Sequence, residues 1–226
     1  MKSLFKGFVS IPDRFAFAGV TFGVSLMLSS IAGLAQAAGE FVEGDPAAGE
    51  EKAATCVACH GPAGNSAAPM FPKLSGQVAK YTDLQLHLIK SNERPVPQMA
   101  GIADNLSDQD MADLAAYYQS TQPTPAVASP DTIELGEQLY RAGNSAKGVP
   151  ACAGCHDPLG RGNIPAGFPR LAGQHTDYIT TQLLAYRNGE RTAGPYAAMM
   201  QGVAANLSDK EIAALSNYIQ GLTAAK

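Results

Sequence analysis

The sequence predicts an all-α fold made of two tandem units, each a few helices long. Three observations lead there: an internal repeat, helix-capping signals at matching places in both halves, and no alternating apolar–polar run long enough for a useful strand. "FPKLSGQ" at 71–77 returns as "FPRLAGQ" at 168–174, "YTDLQL" at 81–86 as "YITTQL" at 178–183, and "NER" at 92–94 as "GER" at 189–191. "MAGIADNLSDQDMADLAAYYQ" from Met99 is answered by "MQGVAANLSDKEIAALSNYIQ" from Met200, so one half duplicates the other in unchanged order.

In chain order, residues 1–37 come first. They carry Lys2, Lys6 and Arg14, then no charge from Phe15 to Gly39, with a small-residue Ala35–Gln36–Ala37 site. This reads as a secretory signal peptide; the alternative is an uncleaved membrane anchor, because the apolar run is about a bilayer span. Either way the remainder is exported. The first domain is placed at 39–122, a linker at 123–130 within the proline-rich "STQPTPAVASP", and the second domain at 131–226.

Within each domain a helix precedes the cysteines. Asp45 is expected to cap the first, with Pro46 at its first position, and Asp131 to cap the helix through "IELGEQLYR". A middle helix is expected near Tyr81–Ser91 and again near Tyr178–Asn188. The closing helices begin with capping boxes, Ser107 with Asp110 and Ser208 with Glu211. Met111, Leu114, Ala115 and Tyr118, and in the second copy Ile212, Leu215 and Ile219, give each closing helix one buried face.

Aromatic residues are only 7% of the chain, with no Trp, against 23 Gly and 15 Pro. Domains of this size and composition struggle to fill their own cores, so a large apolar group inside each would stabilise it. Beyond residue 37 there are 13 basic and 19 acidic groups, a formal charge of −6, which argues against nucleic acid as a partner.

All four cysteines lie in "CVACH" at 56–60 and "CAGCH" at 152–156. Cys-x-x-Cys-His is the attachment frame for c-type haem: Cys56 and Cys59, and likewise Cys152 and Cys155, would form thioethers, while His60 and His156 would present imidazole to iron. Two covalently bound haem c groups are therefore expected. A four-cysteine zinc site normally has closer knuckles than Cys59 and Cys152, a redox dithiol belongs in a βαβ context, and structural disulfides leave both histidines unexplained.

The sixth iron ligand is assigned through the repeat. Met99 and Met200 occupy equivalent places, 39 residues after His60 and 44 after His156, whereas Met70, Met111 and Met199 align with Gly167, Ile212 and Gln98. A thioether is the soft donor that favours ferrous iron. Met199 stays open as an alternative to Met200, one residue of register away. His87 and His175 do not repeat and are read as surface or packing residues.

With these motifs in place, the exported region resembles a di-haem class I cytochrome c of the c4 type, two such folds in tandem. The resemblance implies that a proline carbonyl after each haem site, Pro72 in "FPKL" and Pro169 in "FPRL", accepts the proximal histidine's other N–H. It also implies that Gly49 packs on Tyr117 and Gly136 on Tyr218, and that Tyr81, Gln85, Arg94, Tyr178, Gln182 and Arg191 are candidates for bonding propionates between the domains. "RAGNSAKGVPA" departs from the pattern, since it makes the segment before the second haem nine residues longer than in the first domain.

By the same resemblance the protein is an electron carrier in the periplasm with no organic substrate, working between a quinol-oxidising donor and a terminal oxidase, both membrane respiratory complexes. It is soluble or attached to the membrane through its N-terminal segment. Two other readings are a di-haem peroxidase, which needs one iron able to shed its distal ligand, and the haem subunit of a flavocytochrome dehydrogenase.

Overall fold

The computed structural model describes residues 41–222. The expected signal peptide or anchor at 1–37 lies outside them.

The helices are α1 (Pro46–Lys52), α2 (Val57–His60), α3 (Ala79–Lys90), α4 (Asp108–Ser120), α5 (Ile133–Ala142), α6 (Ala153–His156), α7 (Thr176–Arg187), α8 (Ala197–Ala204) and α9 (Asp209–Gly221). Among the described residues no extended strand forms, only two isolated bridges, Asn144–Val149 and Asn163–Phe168. In the first lobe α4 packs against α1 and α3, and in the second α9 packs against α5 and α7. No helix among the described residues is long and apolar enough to cross a membrane.

Local side-chain chemistry sets the starts of α1, α4 and α9. Asp45 caps α1 by accepting from Ala47 N at 2.9 Å, with Pro46 at the first position. Both capping boxes form: Ser107 N donates to Asp110 at 2.8 Å and Ser208 N to Glu211 at 2.8 Å. Asp131 does not cap α5. It lies inside a 3₁₀ turn (Pro130–Thr132) with Ser129 ahead of it, and Thr132 precedes the helix without a side-chain cap. Pro130 begins that turn one residue too early for Asp131 to reach the helix N–H groups, and Asn217 holds Ser129 N instead, at 2.7 Å.

The buried faces of α4 and α9 are those their spacing implies, with Met111, Leu114, Ala115 and Tyr118, and Ile212, Leu215 and Ile219, all out of solvent. Glycine permits the helix crossings. A Cβ on Gly49 would lie 2.8 Å from Tyr117 Cβ and 2.1 Å from Asp113 O, and one on Gly136 would lie 2.5 Å from Tyr218 Cβ and 2.3 Å from Ala214 O. The linker is tied along both lobes: Thr124 N donates to Asn65, and Gln220 donates to Val127 O.

The long segment before the second haem frame folds back through the Asn144–Val149 bridge and places Lys147 Nζ 2.7 Å from Glu211. That ammonium, with the Ser208 hydroxyl and N–H, holds the Glu211 carboxyl at about 2, well below its ordinary 4.5. Because folding lowers this pKa, the stabilisation is complete above pH 4.5 and drains away as pH falls toward 2. Discounted for the exposed Lys147, it amounts to about 2 kcal/mol. Thermal melts between pH 7 and 3 should show Glu211→Gln losing less stability on acidification than the parent; equal acid sensitivity would rule out this pair as a contributor.

Candidate haem-binding site

Each lobe brings its cysteine–histidine frame to one cavity of about 950 Å³, lined mostly by apolar side chains and continuous across the lobe boundary. All four cysteines line it, and none is in a disulfide. In both frames the backbone N–H of the histidine bonds the carbonyl of the first cysteine at 2.9 Å, one helical turn back. This places Cys56, Cys59 and His60 along one short wall, and Cys152, Cys155 and His156 along another. Burial raises the Cys152 thiol to about 11.

The chain must then turn sharply, and residues with positive φ allow it. Gly61 (φ 73°) does so after His60, and Asp157 (φ 74°) after His156, where the aspartate side chain compensates by accepting from Leu159 N at 2.8 Å. The turns bring Pro72 O to 2.8 Å from His60 Nδ1 and Pro169 O to 3.0 Å from His156 Nδ1. A carbonyl only accepts, so each Nδ1 carries the proton and each Nε2 keeps a free lone pair. Both rings are only 8% exposed. Burial lowers their pKa values, against a smaller opposing effect of the proline carbonyls, so the rings stay neutral at pH 7.

Met99 and Met200 both line the cavity and are half-buried. Their local settings differ. Met99 ends a 3₁₀ turn (Pro97–Met99), because Pro97 and Gly101 bracket it, whereas Met200 sits inside α8. Met70 and Met199 reach the cavity rim but are 65% and 50% exposed. His87 lies on the surface between Asp83 and Asp108. His175 packs between the lobes, its Nε2 3.0 Å from Ser66 O.

The six polar candidates meet across the lobe boundary in a reciprocal network. Arg94 donates to Gln85 of its own lobe (2.8 Å) and to Tyr178 (3.3 Å) and Gln182 (3.2 Å) of the other. Arg191 mirrors it, donating to Gln182 (2.7 Å), Tyr81 (2.9 Å) and Gln85 (2.9 Å). Neither guanidinium has a carboxylate partner among the described residues, and the Nε of Arg191 is buried with no acceptor, as is that of Arg170 beside the same cavity. Two like charges held by neutral partners in a buried site call for anions. Neutral imidazoles with free Nε2, paired thiols, an apolar cavity and orphaned guanidinium N–H groups together fit haem, whose propionates would supply those anions.

Two residues that sequence reasoning assigned no role complete the interface. Gln77 Oε1 accepts from Arg170 N at 2.7 Å and its Nε2 donates to Arg170 O at 3.0 Å. Gln174 does the same to Lys73 N and O, at 2.9 Å each. The available signal was the repeat itself, since this glutamine ends both "FPKLSGQ" and "FPRLAGQ".

The chain matches the family described as "Cytochrome c" twice, over residues 46–122 and 133–223. It is 52% identical to "Cytochrome c4" of Azotobacter vinelandii, over 88% of this chain and 97% of that protein. A "Thiosulfate dehydrogenase electron acceptor" of Thiomonas intermedia (strain K12) is 34% identical, over 76% of this chain and 81% of that protein. Among solved structures, reduced recombinant cytochrome c4 from Pseudomonas stutzeri superposes with a TM-score of 0.77 at 49% identity, covering 80% of this chain and all of that one. The chain therefore belongs to the cytochrome c family, as a tandem electron carrier of the c4 type with two covalently bound haem c groups.

Proposed function

We propose that the protein is a periplasmic two-site shuttle that takes electrons from a quinol-oxidising membrane complex and passes them toward a terminal oxidase. Its domains are 39–122 and 131–226, exported by the segment at 1–37. Cys56, Cys59, Cys152 and Cys155 hold the two haems, His60 and Met99 ligate one iron, and His156 and Met200 the other. Haem supplies the one-electron chemistry when bound. The polypeptide excludes water, fixes each imidazole through Pro72 and Pro169, and meets the propionates with Arg94 and Arg191.

The observation that carries this reading is the doubling of the site. Each lobe sends a paired-thiol frame, a carbonyl-held histidine and a methionine into one cavity, and among the described residues the histidines lining that cavity are His60 and His156. A di-haem peroxidase would need one iron able to shed its distal ligand, and a methionine at the equivalent place in each lobe argues against that. The relative named as an electron acceptor of thiosulfate dehydrogenase favours a second donor class, a dehydrogenase acting on a reduced sulfur compound.

Charge sets the expected direction of flow. Residues 38–125 carry 5 basic and 11 acidic groups, while 126–226 carry 8 of each. Excess negative charge favours ferric iron, so the first haem should have the lower potential, by something on the order of 1 kcal/mol after salt screening. Potentiometry with each iron resolved by NMR checks the order, and carbon monoxide should bind neither ferrous iron. A reversed order would refute the charge argument; a readily ligated iron would favour the peroxidase.

A further inference from the structure

The peptide group joining Pro72 to Lys73 has two partners on opposite sides. Its carbonyl accepts from His60 Nδ1 at 2.8 Å, and its N–H donates to Gln174 Oε1, in the other lobe, at 2.9 Å. The Pro169–Arg170 peptide repeats this, with His156 Nδ1 at 3.0 Å on its carbonyl and Gln77 Oε1 at 2.7 Å on its N–H. Each glutamine is therefore one peptide unit away from the histidine of the opposite lobe.

Local structure holds these amides in place. Gly76 (φ 65°) and Gly173 (φ 78°) turn the backbone so that the next side chain crosses the boundary, and a Cβ at 76 would meet Pro123 Cγ at 2.7 Å. Gln77 and Gln174 are 7% and 8% exposed. Each Oε1 also accepts from the following residue of its own lobe, Val78 N at 2.9 Å or His175 N at 3.0 Å. With Oε1 facing two N–H donors and Nε2 facing a carbonyl, the amide orientation is determined.

A peptide is a conjugated unit, so an acceptor on its N–H increases the negative charge on its oxygen, and hydrogen bonds in such a chain strengthen one another. The strengthened carbonyl pulls harder on the Nδ1 proton. The imidazole becomes a more electron-rich ligand, which favours ferric iron. We infer that Gln77 is a positioning residue that tunes the haem of the second lobe through His156, and that Gln174 tunes the haem of the first lobe through His60. Each lobe thereby lowers the potential of its neighbour's iron, and docking of the lobes is part of the redox setting. This rests on His60 and His156 being the iron ligands.

The test uses the full-length di-haem protein, fully reduced so that both irons are diamagnetic, with the Nδ1–H resonances of His60 and His156 followed by NMR. Gln77→Met removes the acceptor at similar size and should move the His156 Nδ1–H upfield while His60 stays put. At the native midpoint it should also raise the ferrous-to-ferric ratio of the second haem about twofold, a polarisation of tens of per cent in one hydrogen bond. Gln174→Met should move His60 instead.

Equal movement of both histidines, movement in the glutamine's own lobe, or no movement overturns the inference. If Gln77→Met does not assemble, the Gln174→Met shift at His60 decides alone. Loss of the strong ring-current shifts of the imidazole carbon-bound protons in the parent protein would instead overturn the ligand assignment; their presence with unresponsive Nδ1–H signals overturns only the cross-lobe tuning.

Discussion

Gly136→Val is expected to keep the second lobe from closing. A single Cβ there would already stand 2.3 Å from the Ala214 carbonyl oxygen and 2.5 Å from Tyr218 Cβ, and valine adds two methyl groups to it. Neither obstacle can swing away, because one is backbone in the middle of α9 and the other is the first atom of a side chain packed against Tyr140. Relief would require α5 and α9 to part along their contact, breaking the burial of Leu139, Tyr140, Leu215 and Ile219 together. Overpacking of this kind against fixed backbone costs about 4 kcal/mol or more, comparable with the whole stability of a small domain. Near-UV circular dichroism and thermal melting check it. Gly202→Ala in α8 is the control, as a Cβ there meets nothing within 4 Å, and it should leave the melt unchanged or slightly raised. Comparable melts for the two variants would sink the crossing argument.

Met200→Ala should have the second large effect, on the iron rather than the fold. Met199 and Met200 are adjacent in α8, so their side chains diverge by about 100° around the helix. Met200 is the half-buried one, while Met199 is half exposed at the rim. Removing the thioether should abolish the methionine–ferric charge-transfer absorption of one iron out of two and open that ferrous iron to carbon monoxide. The potential should drop by a few tenths of a volt, within the roughly 0.8 V over which axial ligands act. Met199→Ala should leave all three readouts as in the parent. The opposite pairing would transfer the ligand to Met199. Met99→Ala should reproduce the loss at the other iron.

Local rules located much of the molecule in advance. The Asp45 cap, Pro46 at the start of α1, both capping boxes and the buried stripes of α4 and α9 are short-range features, decided within four residues of chain by hydrogen bonding and helical period. The Asp131 cap failed for a reason that is only partly local: Pro130 favours an earlier 3₁₀ turn, and Asn217, 85 or more positions away, rewards it by bonding Ser129 and Thr132. The cysteine–histidine frames were legible because thioether attachment and iron ligation require those side chains at fixed spacing on one helical turn.

What residues 41–222 determine by sequence is thus the pair of haem frames, the helical class and the duplication, because each is written in neighbouring residues or in the repeat. Only the tertiary structure decided what the two copies do to each other. Arg94 and Arg191 exchange partners across the boundary, His175 reaches Ser66, and Gln77 and Gln174 clasp the backbone next to the opposite proline. Those contacts join residues about a hundred positions apart, and they depend on how two folded surfaces fit, a geometry that no local pattern of side chains encodes.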